Sequence, residues 1–156
     1  TAKSHAREIV FFVPGGEGEP VPWGSSKQWK WREAVVTAAK KAKENGWQAA
    51  DNNLFDVEVT FWMPNPLKSS GDLDNLVKPV LDALFVSHNS QVEGSKGFKE
   101  SGIKCACKVQ GALAKCDDDR VVKLVLEKRC VGQQEKCQCG KVHEQSGACV
   151  RVSMLG

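Results

Sequence analysis

Gly71-Asp72-Leu73-Asp74-Asn75-Leu76-Val77-Lys78-Pro79-Val80-Leu81-Asp82-Ala83-Leu84 is the stretch from which the rest of the chain is read. Leu73, Leu76, Val77, Val80, Leu81 and Leu84 recur at three and four residues, which predicts an amphipathic helix through about Val86. Asp74, Lys78 and Asp82 recur every fourth residue along its polar face. Asp72 stands at the helix entrance, where a carboxylate suits the free backbone N–H groups. Asp74 and Lys78 have the spacing of an ordinary ion pair, worth about a few tenths of a kcal/mol. Pro79 lacks an N–H and crowds the Asn75 carbonyl. The pattern therefore predicts either a kink or a regular helix beginning near Leu76.

Working outward, Phe55, Val57, Val59 and Phe61 alternate with Asp56, Glu58, Thr60 and Trp62, so Leu54 to Met63 reads as a half-buried strand ended by Pro64 and Pro66. Glu8 to Val13 reads as an earlier strand, stopped by Pro14-Gly15-Gly16. Between them, Ser25 or Ser26 can cap a helix running to about Asn45. Gly46 is its stop, and Lys40, Lys41 and Lys43 lie near its negative end. Trp29 and Trp31 are expected to pack on the sheet; with Arg32, contact with a partner is the other reading. Val121 to Lys128 alternates again, with Val122, Leu124 and Leu126 opposite Lys123, Val125 and Glu127, and Ala148 to Met154 does so more weakly. Two long connections remain, at about 87–116 and 131–147. The order β-α-β-α-long loop-β-β predicts one α+β domain over 1–156, a small mixed β-sheet with two main helices.

Composition is consistent with this. A chain of 156 residues, 41% hydrophobic and 26% charged with mean hydropathy −0.36, falls outside the collagen-like, disordered and membrane-spanning classes. The apolar run Ile9 to Val13 is too short for a signal-peptide core or a membrane helix, so a cytoplasmic protein without membrane contact is expected. Six of the nineteen acidic residues lie in two groups, Asp72, Asp74, Asp82 and Asp117, Asp118, Asp119. Setting them aside leaves 22 basic residues against 13 acidic ones. That balance suits a polyanion held around a local acidic site.

Asp117-Asp118-Asp119 directly precedes a strand, and three adjacent carboxylates repel one another unless a cation or basic partner compensates. Mg²⁺ prefers hard oxygen ligands completed by water and substrate phosphate, a role for two or three carboxylates without histidine. The site requires the helix start and the strand start to meet. Other signatures fail: Leu76 and Val77 occupy positions where a calcium loop needs an oxygen ligand and a glycine, and Gly15-Gly16-Glu17-Gly18 lacks the Gly-Lys-Ser/Thr of a phosphate loop. His5, His88 and His143 are scattered singly, which leaves a histidine relay without support.

The block Gly71-Asp72-Leu73-Asp74-Asn75-Leu76 with Lys78 and Asp82-Ala83-Leu84, followed by Asp117-Asp118 shortly before Val121 and Lys128, resembles the RusA-type Holliday junction resolvases. The resemblance implies a homodimeric, magnesium-dependent (or manganese-dependent) endonuclease acting on branched DNA, which nicks four-way junctions at symmetric positions. By motif match it implies Asp72, Asp74 and Asp118 as metal-binding catalytic carboxylates and Lys78 as the essential lysine. Asp117 and Asp119 are the alternatives to Asp118 as ligand. The family joins the acidic helix to the second acidic pair by a short turn, whereas residues 86–116 intervene here.

Seven cysteines cannot all pair, and in a reduced compartment disulfides are disfavoured. A shared Zn²⁺ site from Cys105-x-Cys107 and Cys137-x-Cys139 would have to span a strand of roughly 25–30 Å, at about 3.3 Å per residue. A structural Zn²⁺ site on Cys130, Cys137, Cys139 and His143 closes more easily, but free thiols are the expectation. Two competing functions are a non-catalytic DNA-binding module with a zinc-stabilised loop and a structure-selective nuclease acting on flaps or forks.

Overall fold

The computed structural model describes residues 7–15, 20, 27–49, 52–64, 72–86, 92–132 and 145–155. Four strands form one mixed sheet: β1 (Glu8–Pro14), β2 (Leu54–Met63), β3 (Val121–Cys130) and β4 (Gly147–Leu155), in the order β1-β4-β2-β3. β4 pairs antiparallel with both β1 and β2, whereas β2 and β3 are parallel. Parallel neighbours require a crossover, and the second main helix, α2 (Leu73–Leu84), lies within it. The first, α1 (Gln28–Ala42), follows β1. This is the α+β mixed sheet with two main helices that the hydrophobic periodicity predicts.

Alternation decides which face of the sheet the helices cover. Ile9, Phe11 and Val13 of β1, Phe55, Val57, Val59, Phe61 and Met63 of β2, and Val150 and Val152 of β4 are all buried in one cluster. Trp31, Val35, Val36 and Ala39 of α1 complete that cluster with Leu76, Val77, Val80, Leu81 and Leu84 of α2. Each fully buried side chain of this size contributes about 1.5–3 kcal/mol. The opposite face has a smaller cover, in which Trp62 and Cys149 are buried against Val10, Phe12 and Val131. Trp62 and Thr60 are consequently buried, so the second half of β2 is covered on both faces rather than one.

The element ends follow local chemistry. Gly46 takes φ 103° and closes the 3₁₀ turn Lys43–Asn45 after α1, the left-handed geometry that suits glycine. Ser25 and Ser26, the expected caps, lie outside the described residues, and Lys27 occupies the N-cap position without a side-chain capping hydrogen bond. α2 begins at Leu73, not near Leu76, and Pro79 stands inside it. Pro79 is on the buried side of the helix, and the carbonyl that its missing N–H leaves without an intrahelical donor is that of Asn75, an exposed residue. A register shift between Phe55 and Asp56 pairs Phe55 with Val121 and Asp56 with Lys123. Val122 is the extra residue of this bulge. The simple alternation placed it on one face with Leu124 and Leu126; instead it stands outside the pairing of β3 with β2 and is 56% exposed.

The 87–116 connection has structure of its own over its described part. A short helix, α3 (Lys96–Ser101), and a 3₁₀ turn, Ala106–Lys108, wrap a second apolar cluster of Val92, Phe98, Ile103, Ala106 and Val109 with Trp29 from α1. Trp29 meets Phe98 edge-on with ring centroids 5.6 Å apart. The tryptophans of α1 thus divide: Trp31 packs in the main core, Trp29 holds the insertion. Cys105 and Cys107 form a disulfide in this insertion, contrary to the expectation of reduced thiols throughout; separated by a single residue, they are kept close by the chain itself. Cys116, Cys130 and Cys149 are thiols outside any disulfide. Cys137, Cys139 and His143 of the weighed zinc site lie outside the described residues.

Candidate active site

The helix α2 presents its acids and lysine as the four-residue spacing requires. Asp72 is the N-cap residue, exposed, with no side-chain hydrogen bond to the helix, so the capping role open to it is not realised. Asp74 in the first turn and Lys78 are exposed, whereas Asp82 is only half-buried. Lys78 Nζ lies 3.3 Å from Asp82 Oδ1. The ion pair of Lys78 is therefore with the acid one turn later; Asp74 is the acid one turn earlier.

Asp82 is approached from its other side by Arg32. This guanidinium is 3% exposed, with Nη1 3.9 Å from Asp82 Oδ2 and Nη2 donating to the Asp82 carbonyl at 3.4 Å. Its Nε donates to the Val109 carbonyl at 3.0 Å, and its plane lies 4.7 Å over the Trp29 ring. Burial lowers the Arg32 pKa, opposed by the Asp82 carboxylate, and the group remains cationic. The sequence offered Arg32 only one role, as part of the alternative reading in which it and the tryptophans contact a partner; its burial excludes that. A single buried arginine in a helix has no pattern to announce it; the one available signal was its position three residues after Trp29.

The second acidic group is carried to this helix by the return of the insertion. Gly111 and Ala112 donate backbone hydrogen bonds to the carbonyls of Phe85 and Ala83, Leu113 and Ala114 both donate to that of Leu84, and Val86 donates to Cys116. Asp117 follows at once and caps the 3₁₀ turn Asp118–Arg120, its Oδ1 accepting from the Asp118 amide at 2.7 Å. Leu81, Asp82, Phe85, Val86, Asp117 and Asp118 line one small cleft. The Asp118 pKa is raised. Burial is the largest cause, followed by the Asp117 side chain bonded to it; Lys78 opposes the shift, and the charges of Asp117 and Asp82 add to it.

Asp118 thus shares a cleft with Leu81, Asp82, Phe85 and Val86 at the C-terminal end of α2, within the electrostatic reach of Lys78, not at the start of the helix. At about 1.5 Å per residue, Asp74 is roughly 12 Å along the axis from Asp82. Among the described residues, no three carboxylate, histidine or cysteine side chains are gathered closely enough to hold an ion. In donor type the residues fit a hard divalent cation. They are all oxygen donors; Asp72 and Asp74 are exposed, and the third, Asp118, lies in a cleft where burial raises its pKa. Asp119 is exposed, on the same turn.

A small mixed sheet that carries an acid and lysine ridge on its crossover helix, with a second acidic turn against that ridge, has the layout of a site for phosphate chemistry. Residues 17–92 match the family model described as Endodeoxyribonuclease RusA. The family whose motif the sequence resembles is thus found over the segment holding Trp29, Arg32, Asp72, Asp74, Lys78 and Asp82, and it is a family of endodeoxyribonucleases. Asp118 lies beyond the matched segment, so its link to the site rests on the geometry described above. The comparison with curated proteins finds no match. Among the described residues, no helix is long and apolar enough to cross a membrane.

Proposed function

We propose that the chain is a divalent-metal-dependent endonuclease that resolves four-way DNA junctions by paired symmetric nicks. By motif match Asp72, Asp74 and Asp118 would supply its metal ligands, to be drawn together by the ion since the described residues hold no such group preformed, and Lys78 its catalytic cation. The observation that carries the reading is the approach of Asp118 to Lys78 and Asp82, residues forty and thirty-six positions away in sequence. A solvated charge run has no reason to be returned to an acidic helix by five backbone hydrogen bonds. When bound, Mg²⁺ or Mn²⁺ supplies positive charge to a scissile phosphate and acidifies water.

The remaining work falls to side chains of this chain. Lys78 is half-exposed, and its ammonium is held by Asp82 at 3.3 Å, within reach of solvent and of a phosphate oxygen. It offsets the charge that develops on a phosphoryl oxygen as the bond to the leaving group lengthens. Asp82 is half-buried between Arg32 and Lys78, which suits it to orienting the lysine rather than to binding substrate. The pKa of Asp118 is raised by burial and by neighbouring acids, and a cation beside it would favour its ionised form.

Paired nicks require two sites related by two-fold symmetry. The edge strand β3 exposes Val122, Leu124 and Val125, and Leu54 and Leu155 are exposed at the end of the sheet. Exposed apolar side chains along an edge strand support the reading of a homodimer. The test compares cleavage of a four-way junction, a flap, a fork and linear duplex in Mg²⁺, Mn²⁺ and chelator. Metal-dependent cutting of the junction in preference to the others is expected. Preferential cutting of flaps or forks would reassign the substrate, and binding without cleavage in either metal would replace the nuclease with a DNA-binding module.

A further inference from the structure

We propose that Arg32 is a positioning residue of this site: it holds Asp82 so that Asp82 holds Lys78, and it makes that placement conditional on docking of the insertion. The inference rests on the nuclease reading only for its catalytic consequence. The arrangement itself is a chain of contacts. The Val109 carbonyl, in the apolar cluster of the insertion, accepts from Arg32 Nε at 3.0 Å. The same guanidinium reaches the Asp82 carbonyl at 3.4 Å and lies 3.9 Å from its carboxylate. Asp82 Oδ1 then lies 3.3 Å from Lys78 Nζ.

A buried guanidinium needs its donors satisfied, and a carboxylate next to it loses rotational freedom. Asp82 is 14% exposed at its side chain and Lys78 50%. The lysine is thus tied at the end of a pair that is itself anchored from within. Trp29 is what keeps the insertion and the arginine in register, since it packs on Phe98 and under the Arg32 plane. If the insertion were undocked, Val109 would leave Arg32 with one donor unmet inside the protein. The cheapest response is rotation of Arg32 away from Asp82, which frees Lys78.

The test reads the placement of Lys78 and cleavage separately. Arg32→Met, Arg32→Lys, Asp82→Asn and the double variant Arg32→Met/Asp82→Asn are labelled with an amine-reactive reagent, and the rate at Lys78 is followed by mass spectrometry. Faster labelling of Lys78 is expected in Arg32→Met and in Asp82→Asn, an intermediate rate in Arg32→Lys, and no further increase in the double variant. Cleavage of a four-way junction in Mg²⁺ is expected to lose roughly 10- to 100-fold in kcat in Arg32→Met, with KM little changed and part of the rate restored in Arg32→Lys. Melting curves check each fold; should Arg32→Met not fold, Arg32→Lys carries the comparison. Lys78 labelling unchanged by either arginine substitution, or additive effects in the double variant, would overturn the proposal. Wild-type protein that cuts no junction would instead overturn the nuclease reading and leave the labelling result to decide this one.

Discussion

The indole Nε1 of Trp47 donates a 2.9 Å hydrogen bond to the carbonyl of Leu113, across sixty-six residues of sequence. Trp47 is buried in the main core and Leu113 belongs to the strap that leads from the insertion to Asp117. The bond therefore fixes the approach of the second acidic group from the core side. Trp47→Phe keeps most of the apolar volume and removes the donor. It should cost about 1–3 kcal/mol, the penalty for a buried carbonyl left unpaired. Urea denaturation measures the loss, and hydrogen exchange should show it concentrated over residues 111–116.

Trp29 serves the insertion as Trp47 serves the strap. Trp29→Ala removes the largest side chain of the second apolar cluster, at a cost of up to about 3–5 kcal/mol. Because that cluster is separate from the main core, the loss should be local. Amides of 92–109 should exchange much faster while those of β2 and β4 keep their protection. Equal loss of protection in both regions would show that the insertion and the sheet unfold as one unit.

Much of this arrangement was legible in the sequence, for a physical reason. The three-and-four spacing of Leu73 to Leu84 and the alternation of Leu54–Met63 both give the core-facing side chains correctly, but the alternation holds only in the first half of β2, since Thr60 and Trp62 are buried on the opposite face. The acids and lysine of α2 follow from the same spacing. What periodicity does not encode is how distant segments meet. Neither Arg32 nor the return of 111–116 onto the end of α2 repeats in any pattern. The bulge at Val122 shifts an alternation that looks unbroken in sequence. The disulfide of Cys105 and Cys107 depended on a local turn that the cysteine count does not reveal.

The raised pKa of Asp118 has a consequence for stability with its sign fixed by linkage. The folded protein binds this proton more tightly than the unfolded chain does. The resulting stability is present below the ordinary carboxylate value and is lost as pH rises through the folded-state value. Asp118→Asn cannot ionise. With chelator present it should therefore melt at a higher temperature than wild type at neutral pH. The difference should close as pH falls to about 4 and below. Thermal melts across that range test the sign; a variant less stable than wild type at neutral pH would mean that the carboxylate is favourably paired in the folded protein.

Gly147 is set by close approach. A Cβ there would collide with the Val13 carbonyl and stand 2.6 Å from the Phe12 ring, where β4 enters its pairing with β1. Gly147→Ala should destabilise by about 1–3 kcal/mol, as overpacked sites do. Its effect should appear in β1, the strand with the single neighbour β4, and leave the pairing of β2 with β3 intact. Backbone hydrogen exchange distinguishes the two.

Val125 lies on the exposed edge strand and is 41% exposed, beside Glu58 in the parallel pairing. Val125→Lys should leave the monomer fold intact and convert a dimer to monomers in light scattering. Junction cleavage should then proceed by single, unpaired nicks. A variant with unchanged mass and paired nicking would move the subunit contact elsewhere.

The most direct test is cleavage of a labelled four-way junction in Mg²⁺ by wild-type protein and by Asp74→Asn. The account predicts symmetric nicks from the wild type, and from Asp74→Asn retained junction binding with cleavage abolished. Equal cutting by both proteins would remove Asp74 from the chemistry and contradict the metal-ligand assignment on which the proposed mechanism depends.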